Sequence, residues 1–179
     1  MARKLIITEE QMRSVYDCIE HIYESKKREN KQMSAGILPI AKSTGRILIH
    51  KRGPKIEAPN TWCNYGGGSY VGETQTKTAR REFQEESGYK NHVELIRSYT
   101  FRKAGGFRFQ NFIGIVDREF KPIINVKTVD GDIEASDYRW LTFDELKKFR
   151  GKLHKGFEKF LKDREKQIEN IIKTRTKAK

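Results

Sequence analysis

The chain has 179 residues, 36% of them hydrophobic and 34% charged, with a mean hydropathy of −0.80. That length suits one domain with a buried core, and its longest strongly apolar stretch, Ile37–Ala41, falls far short of the roughly 20 residues of a membrane span. Two distant cysteines, Cys18 and Cys63, exclude zinc ribbons, iron–sulfur clusters and a disulfide framework. With no apolar leader at Met1–Ile7, they predict a reducing cytoplasm.

Thirty-seven Lys and Arg against 24 Asp and Glu give +13, and residues 152–179 hold 10 basic and only 4 acidic side chains. A basic chain attracts polyanions such as nucleotides or nucleic acid. An interleaved basic tail also reads simply as a solvated helix face.

Residues 8–29 read as a helix. Thr8 and Gln11 have capping-box spacing, and Met12, Val15, Tyr16, Ile19, Ile22 and Tyr23 form one apolar stripe. Such a stripe packs on the main domain or across a homodimer. Ser25–Gln32 reads as a linker. Ala35–Ile40 and Arg46–Lys51 read as a β-hairpin around Ser43-Thr44-Gly45, and Gly53–Asn60 as a loop. Thr74–Ser87 is helical and closed by Gly88. His92–Arg102 and Phe107–Val116 form a second hairpin around Gly105-Gly106. A long connection over 117–133 leads to a strand at Asp137–Leu141, a short helix at Phe143–Phe149 and one final helix at Leu153–Ile172. Mixed elements without a βαβ rhythm predict an α+β fold. The division expected is an N-terminal helical extension at 1–33, a main domain at 34–150, and a basic C-terminal helix and tail at 151–179.

The chemistry concentrates between Gly67 and Tyr89. Glu82, Glu85 and Glu86, spaced i, i+3, i+4, share one helix face, and like charges so placed repel. A hard divalent cation offsets that repulsion with oxygen ligands. Ala79 and Phe83 on the other side suit packing against a sheet. Before the helix, Gly66-Gly67-Gly68 lets a phosphate or metal approach the backbone.

Gly67, five residues, Glu73, seven residues, then Arg81-Glu82-Phe83-Gln84-Glu85-Glu86-Ser87-Gly88-Tyr89 resembles the Nudix hydrolase signature. Phe83 and Tyr89 depart from it, being aromatic where the family carries aliphatic residues. The resemblance extends over residues 35 to about 161. It implies an α/β/α sandwich around a mixed β-sheet, flanked here by the N- and C-terminal helices. It also implies hydrolysis of a nucleoside diphosphate linked to a further group, by water attack on phosphorus, with Mg²⁺ or Mn²⁺ as cofactor. By the same resemblance Glu82, Glu85, Glu86 and the Gly66 carbonyl are the metal ligands. Glu85 is the first choice of general base, and Asp130, Asp132 and Glu134 are downstream alternatives, Glu134 having the family-like spacing. Gly67, Glu73, Arg81 and Gly88 hold the motif's shape. Arg52, Arg102 and Arg108 are candidates for phosphate contact, and Trp62, Tyr65 and Phe109 for stacking on a base. The substrate expected is a nucleotide derivative such as an ADP-ribose-like compound, a dinucleotide or a (d)NTP. RNA 5′-end hydrolysis and a non-catalytic binding module are the alternatives.

Overall fold

The computed structural model describes residues 8, 9, 12, 13, 15, 29–125, 131–149 and 151–177. A mixed seven-stranded sheet is its frame. The strands are β1 (Glu29–Ala41), β2 (Ile47–Arg52), β3 (Trp62–Cys63), β4 (Tyr65–Tyr70), β5 (Glu94–Arg102), β6 (Arg108–Val116) and β7 (Ala135–Leu141); the helices are α1 (Gln75–Ser87), α2 (Phe143–Lys148), α3 (Lys155–Asp163) and α4 (Glu165–Arg175). β1 lies parallel to β6 along nine register pairs, Met33↔Arg108 to Ala41↔Val116. β5 and β6 form the expected hairpin.

Alternation along the strands divides the interior in two. Ile37, Leu48, Phe112 and Val116 pack with Ala79 and Phe83 of α1. Leu38, Ile47, Ile49 and Ile113 point the other way, onto Phe157, Phe160, Leu161, Ile168 and Ile171 of α3 and α4. The result is the expected α/β/α sandwich, with the C-terminal helices as its second helical layer. α1 begins at Thr74, whose side chain accepts from Lys77 N–H, and ends at Gly88 in the left-handed region with φ 73°. α2 carries a full capping box between Thr142 and Glu145.

Three local expectations change. Residues 29–32, read as linker, are strand, because Glu29 and Asn30 pair with Tyr70 and Ser69 of β4. The expected β1–β2 hairpin pairs only at its base, Ile40↔Ile47, since β1 is otherwise flanked by β4 and β6. The glycine run, to which the sequence reading assigns no element, lies in β4. The single C-terminal helix is two, broken at Arg164 with φ −124° and ψ 16°. Of the helix expected at 8–29, six residues are described, and the last, Glu29, is strand; Met12 N–H donates to the Thr8 carbonyl at 2.9 Å, and Met12 and Val15 are about half exposed. The rest of that helix, with Cys18 and Asp130, lies outside the described residues. Among the described residues no helix is long and apolar enough to cross a membrane.

Candidate active site

β4 and α1 build the site. Gly66 has φ +154°, and a side chain there would meet the Ala35 carbonyl at 2.5 Å; backbone cannot yield, so β1 and β4 approach this closely only through glycine. A Cβ on Gly67 would lie 2.7 Å from the Glu82 carboxylate. The missing side chain is the space that carboxylate occupies.

Arg81 ties loop to helix. Its guanidinium donates to Glu73 at 3.1 Å, to Glu82 at 2.7 Å, to Glu85 at 2.9 Å and to the Gly68 carbonyl at 2.7 Å, and it lies 4.1 Å from the centre of the Tyr70 ring. Burial works to raise the Glu73 carboxyl, but bonds from Arg81, Tyr70 N–H and Thr78 hold it below its ordinary value. Buried Thr78 also donates to Ser69, joining the first turn of α1 to the end of β4.

The carboxylates have distinct surroundings. Glu86 is 4% exposed and accepts the Gly66 N–H at 2.9 Å. Burial, then the Glu134 and Glu82 charges, pushes its carboxyl well above the usual range. Burial likewise lifts Glu82 to about 7, against the pull of Arg81, and raises Glu134. Glu85 is the exposed member, its side chain 55% accessible and turned to Arg81. Glu82, Glu86 and Glu134 are thus oxygen donors with unfavourable mutual charge, a donor set that fits a hard divalent cation. Among the described residues no three acids stand as a ready-made metal cage.

The other candidates separate. Arg52 lies near this cluster, its charge lowering the Glu86 and Glu134 carboxyls, and its Nε donates to the Glu57 carbonyl at 2.7 Å. Arg102 and Arg108 are register partners near the β5–β6 turn, both exposed; by strand alternation they share the α1 face but make no bond to the carboxylates. Trp62 is 6% exposed and belongs to the opposite core, so the sheet separates it from Glu86. Tyr65 is 1% exposed, in edge contact with Phe83 and His50. Asp132 pairs with Lys55 at 3.7 Å.

Sequence reasoning gave His50 no role. It is 2% exposed, with Nε2 3.1 Å from Cys63 Sγ. Burial, then Arg52, pushes it down to about 3, so it is neutral at ordinary pH. Its alternation with Leu48 and Arg52 is the signal that places it beneath the carboxylates.

The comparisons agree with this architecture. A family model described as the NUDIX domain matches residues 30–163. The chain belongs to the Nudix hydrolase family, enzymes of phosphorus-containing acid anhydrides. Among solved structures it is similar to the dihydroneopterin triphosphate pyrophosphohydrolase of E. coli, with TM-score 0.59 and 19% identity over 80% of this chain and 99% of that one. It is also similar to an Ap4A hydrolase of C. elegans in a binary complex, with TM-score 0.58 and 13% identity over 76% and 98% of the two chains. A third is a bifunctional NMN adenylyltransferase/ADP ribose pyrophosphatase of Francisella tularensis complexed with AMP and Mn ion, with TM-score 0.55 and 16% identity over 89% and 49%. At these identities the likeness concerns the fold. A comparison with curated proteins finds no match.

Proposed function

We propose that this Nudix hydrolase is a metal-dependent pyrophosphohydrolase that cleaves the diphosphate linkage of a free nucleotide derivative. The observation that carries this reading is that Glu86 is buried and held by the Gly66 N–H at 2.9 Å, while burial raises the Glu82, Glu86 and Glu134 carboxyls and the Glu134 charge raises the other two further. Glu82, Glu85, Glu86 and the Gly66 carbonyl would hold Mg²⁺ or Mn²⁺. When bound, the cation neutralises pyrophosphate charge and acidifies a bound water.

The chain's own residues supply the rest. Glu85 is exposed and accepts the proton of the attacking water as its oxygen bonds to phosphorus and the anhydride P–O bond breaks. Glu134 is the second candidate for that proton. Arg81 holds Glu85 and Glu82 in position. Arg52 meets the anionic substrate beside the acids, and Arg102 and Arg108 on the same sheet face extend the positive lining. Gly67, Glu73 and Gly88 fix the loop and the helix end.

The neighbours named above act, by their names, on dihydroneopterin triphosphate, Ap4A and ADP-ribose, all small molecules, which favours a small nucleotide over RNA. The test is hydrolysis of ADP-ribose, dinucleotides and (d)NTPs against 5′-triphosphate and capped RNA, with and without Mg²⁺, at about 150 mM salt. Mg²⁺-dependent turnover highest on a free nucleotide supports the proposal. Higher kcat/KM on RNA replaces it with 5′-end hydrolysis. Nucleotide binding without turnover replaces it with a binding module.

A further inference from the structure

A hollow of about 450 Å³ opens on the sheet face away from the carboxylates. The register explains its composition. Lys51 of β2 stands between Trp62 of β3 and Asp137 of β7, and Ile49, one alternation earlier, faces Arg139. Since Ile49 and Trp62 belong to the core under α3 and α4, Lys51, Asp137 and Arg139 share that face. Phe149 and Lys152, from the segment after α2, close the rim.

Three cations and one carboxylate therefore surround one space. Lys51, Arg139 and Lys152 form no ion pair among the described residues, whereas Arg81, Lys147 and Arg175 do. The aromatic rings are already covered by cations. The Arg139 guanidinium lies 5.2 Å from the Trp62 ring centre and 5.4 Å from that of Phe149, and the Lys152 ammonium lies 5.9 Å from Phe149. The two rings stand at 87° to each other and hold the guanidinium between them by cation–π attraction, and its N–H groups remain as donors. A base would have to displace these cations to stack; an anion does not. The volume falls in the range of small-ligand sites.

We infer that this hollow is a second, metal-independent binding site for a phosphoryl anion of two or more charges, held by Arg139, Lys152 and Lys51 across the sheet from the hydrolytic carboxylates. The group belongs to a free nucleotide or to the backbone of a longer polynucleotide; the recognition chemistry is the same. The three cations outweigh the Asp137 carboxylate, and a net positive lining attracts a more highly charged anion more strongly.

The test uses inorganic pyrophosphate in EDTA, read by equilibrium dialysis and by tryptophan emission, at about 150 mM salt. Chelation removes the cation that would join pyrophosphate to the carboxylates, and no turnover is measured, so the result stands apart from the hydrolysis proposed above. Expected is saturable binding that Arg139→Gln weakens about tenfold or more, the loss of a charge-assisted bidentate contact, and that Lys152→Gln and Lys51→Gln each weaken severalfold. Glu86→Gln and Lys173→Gln, at the carboxylates and on the exposed face of α4, leave it unchanged. If Arg139→Gln lowers the melting temperature, the two lysine variants carry the test. Absence of saturable binding overturns the inference, as does equal weakening by Lys173→Gln, which would reduce the effect to diffuse charge. ADP and a 5′-phosphorylated RNA octamer then distinguish the sources. Comparable affinities support the site with a free nucleotide as ligand, and tenfold tighter RNA binding supports it with a polynucleotide.

Discussion

Gly66 donates its backbone N–H to Glu86 Oε2 at 2.9 Å, fastening the glycine strand to a carboxylate on the buried side of α1. One bond thus sets both the position of the acid and the line of the backbone in front of it. The bond is to a carboxyl that burial and neighbouring acids push well up, so the site is arranged at a cost in stability when no cation is present.

Glu86→Gln separates these effects. The amide oxygen still accepts from Gly66, and the buried charge is gone. In EDTA the variant is expected to be as stable as the wild type or about 1–2 kcal/mol more stable. With Mg²⁺ its turnover should fall about 10²-fold or more. Thermal melts and initial rates read the two changes; unchanged turnover with the fold intact would remove Glu86 from the site.

Gly67→Ala places a methyl 2.7 Å from the Glu82 carboxylate. The obstructed atoms are the end of a flexible side chain, so the fold survives and the acid moves. Metal affinity is expected to drop about 10–100-fold, as for a mis-set ligand, with the melting temperature nearly unchanged. Mn²⁺ titration followed by electron paramagnetic resonance gives the affinity.

Arg81→Ala releases Glu73, Glu82, Glu85 and the Gly68 carbonyl together. The Glu73 and Glu82 side chains are 13% and 12% exposed, so they lose their partner where water replaces it poorly. A loss of about 2–4 kcal/mol in urea unfolding is expected. Arg81→Lys should recover little of it, since one ammonium cannot span four acceptors.

His50 makes stability depend on pH. Its folded value of about 3 lies below the ordinary 6.5, so the unfolded chain takes up the proton first. Stability from this group is complete above pH 6.5 and falls as pH drops toward 3, by about 2 kcal/mol at pH 5. Glu82, raised from 4.5 to about 7, acts oppositely, its contribution lost as pH rises through 7. The measurement is therefore a difference: between pH 7.5 and 5 the wild type should lose about 2 kcal/mol relative to His50→Gln. Parallel profiles would contradict a buried neutral His50.

Ending the chain at residue 150 removes Phe157, Phe160, Leu161, Ile168 and Ile171 from one core. Each such side chain contributes about 1.5–3 kcal/mol, and the total matches the whole stability of an ordinary domain. The shortened chain should fail to fold cooperatively, seen as loss of near-ultraviolet circular dichroism.

By itself the sequence determined what is local. Thr74 and Gly88 delimit α1 because their cap bonds lie within a few residues, and helical spacing puts Glu82, Glu85 and Glu86 on one face and Ala79 and Phe83 on another; it suggests an open carboxylate face, whereas the structure buries Glu86 and most of Glu82 and leaves only Glu85 exposed. The signature spacing identified the family for the same reason: it records one loop and one helix. Only tertiary structure decided the remainder. Gly66-Gly67-Gly68 has no side-chain pattern to announce a strand; it becomes β4 because Gly36 in β1, thirty residues earlier, accepts so close a partner. Trp62 joins the core opposite the carboxylates because β3 pairs with Lys51, and Glu134, which its family-like spacing singles out, comes close enough to raise the Glu86 carboxyl only through chain folding. Arg164 breaks the last helix where its two halves turn to cover Ile49 and Leu38. Strand partners, sheet faces and the meeting of distant charges depend on contacts between separated segments, and periodicity within a segment carries no record of them.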